Sequence, residues 1–375
     1  MKLFLLIFLI LCNSKSLVAL DTKSTHAIIL DYETEDILFS KKENELTSPA
    51  SMTKIMTAYI VFDRIKNGNL KLSDEFIISS KAYKMGGSRM FLEMNSKVTV
   101  MDLLYGIIVQ SGNDASVAVA ENISGTEEEF AKLMNTYANK FGMNNTNFVN
   151  SSGWPNSNHY SSMKDIAILS KNIIKHFPEL YKIFEKKKFI YNNIRQPNRN
   201  PLLYSYEGAD GLKTGYVNNA GFGIAATVDN NGRRIIVVVN GLKSARERKE
   251  EVTKLFDWAY RDTKQIVILN KGQILVKSDV WLGNKKTVNL ISGEKLLTSL
   301  TLKQQQNIEA KLVYKKPINA PLEKNQEVGK ILIDIPNRQT IEIPLLAKDS
   351  IKKSNPLTRI FNALNYLIFG NIDEK

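Results

Sequence analysis

The sequence has little cysteine, little histidine and no long apolar run, and each shortage removes a class of answer. Cys12 is the only cysteine in 375 residues. It lies in the first apolar stretch, so a chain that loses that stretch has no disulfide and no thiol and must be held together by its core. The three histidines, His26, His159 and His176, are too few and too scattered for a histidine-based metal centre. A Ser-His-Asp triad would have to recruit His159. The longest apolar run, Leu3 to Leu11, is too short to span a bilayer. There is no glycine-rich phosphate loop, no internal repeat and no signature of RNA or DNA binding.

What is present is the composition of a globular protein, 43% hydrophobic and 24% charged, with a formal charge of +13. That charge suits an anionic environment, a membrane surface or cell wall more than nucleic acid, although a lysine-rich surface alone would produce it. Residues 1–19 have the layout of a secretory signal peptide: Lys2, the apolar run, then Leu17-Val18-Ala19 with cleavage expected near Ala19. Leu11 is too bulky to precede a lipidated Cys12.

The chain is organised around Ser48-Pro49-Ala50-Ser51-Met52-Thr53-Lys54. Thr47 or Ser48 as N-cap and Pro49 in the first turn predict a helix start, and the apolar residues from Ile55 to Ile65 predict a helix buried on most sides, ending at Asn67-Gly68. Ser51 and Lys54, three apart, then share a face. A serine hydroxyl needs a base, and a lysine serves only if desolvation, a neighbouring cation or the helix dipole lowers its pKa. The tetrad alone is weak, because it recurs at Ser161/Lys164, Ser292/Lys295 and Ser350/Lys353.

Its setting sharpens it. Hairpin strands are expected over His26–Leu30 and Ile37–Ser40, a short strand over Phe76–Ile78, and a helix from Val100 that breaks at Gln110-Ser111-Gly112-Asn113-Asp114-Ala115, with the next beginning at Val117. Between two helices, Ser111 can relay a proton and Asn113 can bind a peptide group. Helices are expected over Phe130–Phe141 and Lys164–His176, separated by a polar loop containing Ser151, Ser152, Trp154 and His159. Asp210-Gly211-Leu212-Lys213-Thr214-Gly215 precedes strands over Gly223–Val228 and Ile235–Val239. On an edge strand, Lys213 adds positive charge, Thr214 can bond a carboxylate and Gly215 lets a substrate approach the backbone. A helix over Arg246–Tyr260 carries Arg248 near its start, where a guanidinium can hold a terminal carboxylate.

Ser-x-x-Lys, Ser-x-Asn and Lys-Thr-Gly in this order resemble the penicillin-recognising serine enzymes. The flanks Pro49 to Thr57, Gln110 to Ala115, His159 to Ser162 and Asp210 to Tyr216 are similar to those of the low-molecular-mass D-alanyl-D-alanine carboxypeptidases, over residues 20 to 369. The resemblance implies an α+β fold: a β-lactamase/transpeptidase-like domain over 20–262, with an antiparallel sheet flanked by helices plus a helical cluster, and then a small all-β domain over 263–350. It implies that Ser51 attacks the carbonyl between two D-alanines of a peptidoglycan stem peptide, releasing D-alanine and leaving an acyl-enzyme that water hydrolyses. Lys54 is the base, Ser111 and Lys213 move protons or stabilise charge, and Asn113 binds the substrate backbone. Thr214 and Arg248 hold the terminal carboxylate, Gly215 admits the substrate, and the N–H groups of Ser51 and Tyr216 form the oxyanion hole. β-Lactams would acylate Ser51, and no metal or cofactor is required. Ala209 stands where many members have valine, and Tyr216 occupies a variable position; neither departure removes a chemical group.

After Tyr260 six strands are expected, over Gln265–Leu269, Ile274–Lys277, Thr287–Leu290, Ile308–Tyr314, Gly329–Ile335 and Thr340–Pro344, with no catalytic constellation. The tail 351–375 is expected to be a linker and an amphipathic helix with Leu357, Ile360, Phe361, Leu364, Leu367 and Ile368 on one face, an interfacial anchor to the outer face of the cytoplasmic membrane or a helix packed on the domain. The functional alternatives are a D,D-endopeptidase or β-lactamase on the same scaffold and a non-catalytic wall-binding protein.

Overall fold

Alternating apolar residues and two-sided packing build the first domain, whose core is an antiparallel sheet of β1 (His26–Asp31), β2 (Ile37–Lys41), β3 (Ala209–Val217), β4 (Gly221–Asn230) and β5 (Arg233–Leu242), in the order β2-β1-β5-β4-β3. The computed structural model describes residues 20–369. The expected signal peptide over 1–19 and residues 370–375 lie outside them.

Side chains of successive strand residues point to opposite faces, and here both faces are apolar. Ile28, Leu30, Leu212, Ala225, Ile236 and Val238 face one core, and Ala27, Ile29, Ile224, Ala226, Val237 and Val239 face another. The second core is closed by the long helix near the end of this domain, whose Val252, Leu255, Phe256 and Ala259 are buried against the sheet. The first is closed by a helical cluster: α1 (Lys54–Lys66), α2 (Ser80–Lys84), α3 (Asn113–Ser124), α4 (Glu127–Lys140) and α5 (Met163–His176). The sheet-covering helix, α6, spans Ala245–Asp262 and is capped by Ser244, whose Oγ accepts the Glu247 N–H. α1 runs through the middle of the cluster with every residue from Lys54 to Phe62 buried, as its unbroken apolar pattern requires.

Two local expectations are corrected. Ser51 lies in a 3-10 turn, Ala50–Thr53, that leads into α1; the cap position is Pro49, and Ser48 Oγ accepts only the Ala50 N–H, at a long 3.4 Å. Thr47 is instead drawn into a backbone bridge with Ser161, which fixes the chain's entry from outside. The Ser-Gly-Asn segment is also not a simple inter-helix loop. A π-turn over Gly106–Gln110 delivers Ser111 into the left-handed region at φ 68°, Gly112 precedes α3, and Asn113 is already its first helical residue.

The second domain is all β. Its six-stranded sheet runs in the order 309–314, 327–334, 341–347, 287–292, 274–281 and 318–319, and a separate ribbon pairs Thr263–Leu269 with Leu296–Thr301. The strands at 296–301 and 318–319 and a short helix at 302–305 have no expected counterpart. The helix Pro356–Phe369 forms as expected, and its residues Leu357, Ile360, Phe361, Leu364, Leu367 and Ile368 are all exposed. Packing on the domain is therefore not what this face does. Among the described residues no helix is long and apolar enough to cross a membrane.

Candidate active site

The site forms where the Ala50–Thr53 turn meets the N-terminal end of α3 and the edge strand β3. Close approach is possible because two neighbours are glycine. A Cβ on Gly215 would sit 3.0 Å from Pro49 O and 3.2 Å from Ala50 Cβ, so β3 can lie directly against the turn that carries Ser51. A Cβ on Gly153, at φ 78°, would fall 1.8 Å from Ala50 O. Any side chain there would push the Ser151–Trp154 loop off the site.

Lys54 is the centre of the constellation. Its amine is buried, at 1% exposure, and makes three hydrogen bonds: to Ser51 Oγ at 3.1 Å, to Asn113 Oδ1 at 2.7 Å and to the Ser152 carbonyl at 2.6 Å. Burial, and then the positive charge of Arg199, lower its pKa to about 7. Deprotonation at that pH leaves two N–H bonds for Asn113 Oδ1 and Ser152 O, and it leaves the lone pair facing the Ser51 hydroxyl. The arrangement therefore presents a neutral amine in the orientation that proton abstraction needs.

Asn113 is held on both sides of its amide. Its backbone N–H donates to Ser88 O at 2.7 Å and its Nδ2 donates to Gly86 O at 2.9 Å, which leaves Oδ1 for Lys54. The next residue, Asp114, is buried and accepts the N–H groups of Met90, Phe91 and Leu92, tying the 86–92 loop to α3. Ser111 is buried beside Asn113. Ser111, in the left-handed region, is followed at once by the start of α3.

Lys213, expected as a strand lysine at the site's edge, is nearly as buried as Lys54, at 2% exposure. Burial and the charges of Lys54, Arg199 and Arg248 hold its pKa well below the lysine range. Thr214 is also buried, whereas Tyr216 is half exposed and packs on Phe222 with ring centroids 4.2 Å apart. Arg248 lies in the first turn of α6, with Nη1 3.5 Å from Gly223 O and the guanidinium 5.9 Å over the Phe222 ring. It is 8% exposed, and its Nε has no protein partner. A buried guanidinium with an unused N–H is costly unless an anion arrives to pair with it.

Arg199 had no signal in the sequence. It lies in the irregular segment between Pro197 and Pro201, donates to Ser88 Oγ at 2.6 Å and depresses the pKa of Lys54, Lys213 and Arg248. A lone arginine in a loop carries no periodicity, and only the fold brings it to the cleft. His159 is excluded as the base. The Val149 N–H donates to its Nδ1 at 3.2 Å, so Nε2 carries the proton and donates to Thr53 Oγ1 at 2.8 Å, and burial pushes the ring's pKa down to about 4. Among the described residues no group of three or more His, Cys, Asp or Glu side chains could hold a metal ion.

Comparison with known proteins gives the family. The sequence pattern of the D-alanyl-D-alanine carboxypeptidase family matches residues 13–244, and that of the penicillin-binding protein 5 C-terminal domain matches residues 264–353. The D-alanyl-D-alanine carboxypeptidases DacF of Bacillus subtilis and DacC of Escherichia coli are each 36% identical, over 88% and 89% of this chain and 87% and 86% of theirs. The crystal structure of penicillin binding protein 5 from Haemophilus influenzae superposes with a TM-score of 0.76 at 33% identity, covering 90% of this chain and 99% of that one. Penicillin-Binding Protein D2 from Listeria monocytogenes, in its ampicillin-bound form, covers 64% of this chain and 98% of its own at a TM-score of 0.59 and 26% identity. With a serine beside a buried lysine at a glycine-lined strand edge, the chain belongs to the D-alanyl-D-alanine carboxypeptidase family of penicillin-binding proteins.

Proposed function

We propose that this protein is a serine D,D-carboxypeptidase that removes the terminal D-alanine from peptidoglycan stem peptides. The observation that carries the reading is the Lys54 amine, buried, lowered to a pKa of about 7 and 3.1 Å from Ser51 Oγ. Ser51 Oγ attacks the carbonyl of the penultimate D-alanine while its proton passes to Lys54. The negative oxygen of the tetrahedral intermediate is received by the backbone N–H groups of Ser51 and Tyr216. The amide C–N bond then breaks, and the leaving D-alanine takes a proton relayed through Lys54 and Ser111. Water repeats the sequence on the ester to regenerate Ser51.

Asn113 Nδ2 holds the substrate's peptide group, and Thr214 and Arg248 take the terminal carboxylate, the anion that the unused Arg248 Nε–H awaits. Lys213 stabilises the carboxylate and the transition state from beneath. A β-lactam presents the same carbonyl and carboxylate and acylates Ser51 in the same way. Incubation of the mature protein with a D-Ala-D-Ala-terminated stem peptide tests the reading: D-alanine is released by wild type and not by Ser51→Ala. Cleavage of cross-bridges without D-alanine release would move the assignment to an endopeptidase.

The same reading places the protein outside the cytoplasm, on the outer face of the cytoplasmic membrane. The signal-like residues 1–19 and the exposed apolar face of the helix Pro356–Phe369 support it. Co-sedimentation with vesicles containing anionic lipid, lost when the chain is cut after residue 350, is the expected outcome.

A further inference from the structure

The acceptor that holds Lys54 most closely is a main-chain carbonyl, that of Ser152 at 2.6 Å, and a carbonyl keeps its place only if its loop does. The preceding residue, Ser151, is fully buried and pinned from two sides. Its carbonyl accepts the Thr57 hydroxyl at 2.6 Å, on the same face of α1 as Lys54. Its N–H and its hydroxyl both donate to Glu127 Oε1, at 3.1 and 2.7 Å. Glu127 opens α4 and is itself buried, and its other oxygen meets Lys81 Nζ of α2 at 3.1 Å. A line of contacts thus runs from an exposed lysine through a buried carboxylate and the Ser151–Ser152 loop to the catalytic amine.

We propose that Glu127 is a positioning residue for the general base: it fixes the Ser152 carbonyl against Lys54, and its charge, partly balanced by Lys81, tunes how readily that amine gives up its proton. The inference rests on the reading of Lys54 as the base for Ser51. The charged groups that face Lys54 come from several elements. Arg199 favours the neutral amine, and Asp114 and Glu127 favour the charged one. Lys213 adds a second buried amine, and His159 is a neutral imidazole. The two carboxylates differ in what holds them. Asp114 is saturated by the backbone N–H groups of Met90, Phe91, Leu92 and Ala115, whereas Glu127 is shared between a loop and a surface lysine that also reaches Glu128 at 3.5 Å. Glu127 is therefore the carboxylate whose influence on the base can be changed without disturbing the nucleophile's own contacts.

Glutamine at 127 keeps an acceptor for Ser151 and removes the charge, whereas alanine leaves a buried N–H and hydroxyl without a partner and frees the loop. The test is the second-order rate of Ser51 acylation by a fluorescent penicillin in the full chain between pH 5 and pH 9, with Ser51→Ala as blank and thermal unfolding as the check on folding. In Glu127→Gln the plateau stays within about threefold of wild type and the acid limb moves down by on the order of half a pH unit. In Lys81→Met, which leaves the Glu127 charge uncompensated, the limb moves up. In Glu127→Ala the plateau falls by about tenfold or more, and Gln restores it. A wild-type acid limb in both Glu127→Gln and Lys81→Met, or a wild-type plateau in Glu127→Ala, overturns the proposal. Should Glu127→Ala fail to fold, the opposed limb shifts of the other two variants decide alone. Absence of labelling in folded wild type would overturn the functional reading itself, and this inference with it.

Discussion

Two clusters of charge flank the same sheet and are built on opposite terms. At the Ser51 end the buried Lys54, Lys213 and Arg248 crowd together with Arg199, which stays exposed at the cleft, and loss of water is the first cause lowering the pKa of each. Asp114, a carboxylate whose charge acts on Lys54, is saturated by backbone N–H groups. At the other ends of β1 and β5 three arginines each have an anion. Asp31, fully buried, accepts Arg233 Nε at 3.0 Å, Gln265 at 2.8 Å and Ser299 at 2.7 Å; Arg338 pairs with Asp36 at 2.6 Å; and Arg234 pairs with Asp210 at 2.6 Å. The second cluster joins the catalytic domain to the β domain and is complete within the protein. In the first, Arg248 Nε has no partner within the protein, and the proposed function gives it the substrate's carboxylate. A buried charge that finds its partner in its own chain is architecture, and one that does not marks a site.

The contrast is broken most forcefully at the base. Lys54→Ala and Ser51→Ala should each lower the acylation rate by at least about 10⁴-fold, measured by penicillin labelling of folded protein. Lys54→Met should do the same while stabilising the fold at pH 7 by a few kcal/mol, because it removes a desolvated amine. The sign follows from linkage. The folded-state pKa of about 7 lies below the ordinary 10.5, so between those values the unfolded chain binds the extra proton and this group's contribution to stability rises with pH. Denaturant melts at pH 6 and pH 9 should show the slope in wild type reduced in the methionine variant.

The paired cluster should respond in the reverse sense. Asp31→Ala strands the Arg233 guanidinium and should cost about 3–5 kcal/mol of stability while leaving the acylation rate of the folded fraction within about twofold. Equal losses of activity and stability there would erase the distinction. Arg248→Ala comes next: kcat/KM for a D-Ala-D-Ala peptide should fall about 100-fold, near 2.7 kcal/mol, with little change in melting temperature. Lysine at 248 should recover only part of it, since the forked geometry is lost. The smallest effect is expected at Arg199, whose charge helps keep Lys54 neutral. Arg199→Gln should raise the midpoint of the acid limb above its wild-type position near 7, by on the order of half a unit, in the pH profile of acylation.

The parts of the site that repeat a local pattern were legible in the chain. Ser51 and Lys54 share a face because residues three apart on one helical turn do so whether that turn is 3-10 or α. Lys213-Thr214-Gly215 is expected on an edge strand from its motif, and it lies on β3. The parts supplied by packing were not legible. Nothing near Arg199, in Asn198-Arg199-Asn200, distinguishes it from a surface loop arginine. Glu127 reads as an ordinary first-turn acid, favoured there by the helix dipole. The Ser152 carbonyl has no sequence signal at all, because every residue has one.

By itself the sequence determined which groups could react, in what order they occur and that two domains follow a leader-like segment, since motif spacing and hydrophobic period are local properties of the chain. Only the tertiary structure decided that the Lys54 amine is dry, that Arg199 stands close enough to depress it, that His159 is occupied by Thr53 and Val149, and that Arg248 keeps an unused N–H. The physical reason is that a pKa and a free donor are set by what surrounds a group in three dimensions. Those surroundings come here from segments up to about 200 residues apart in the chain.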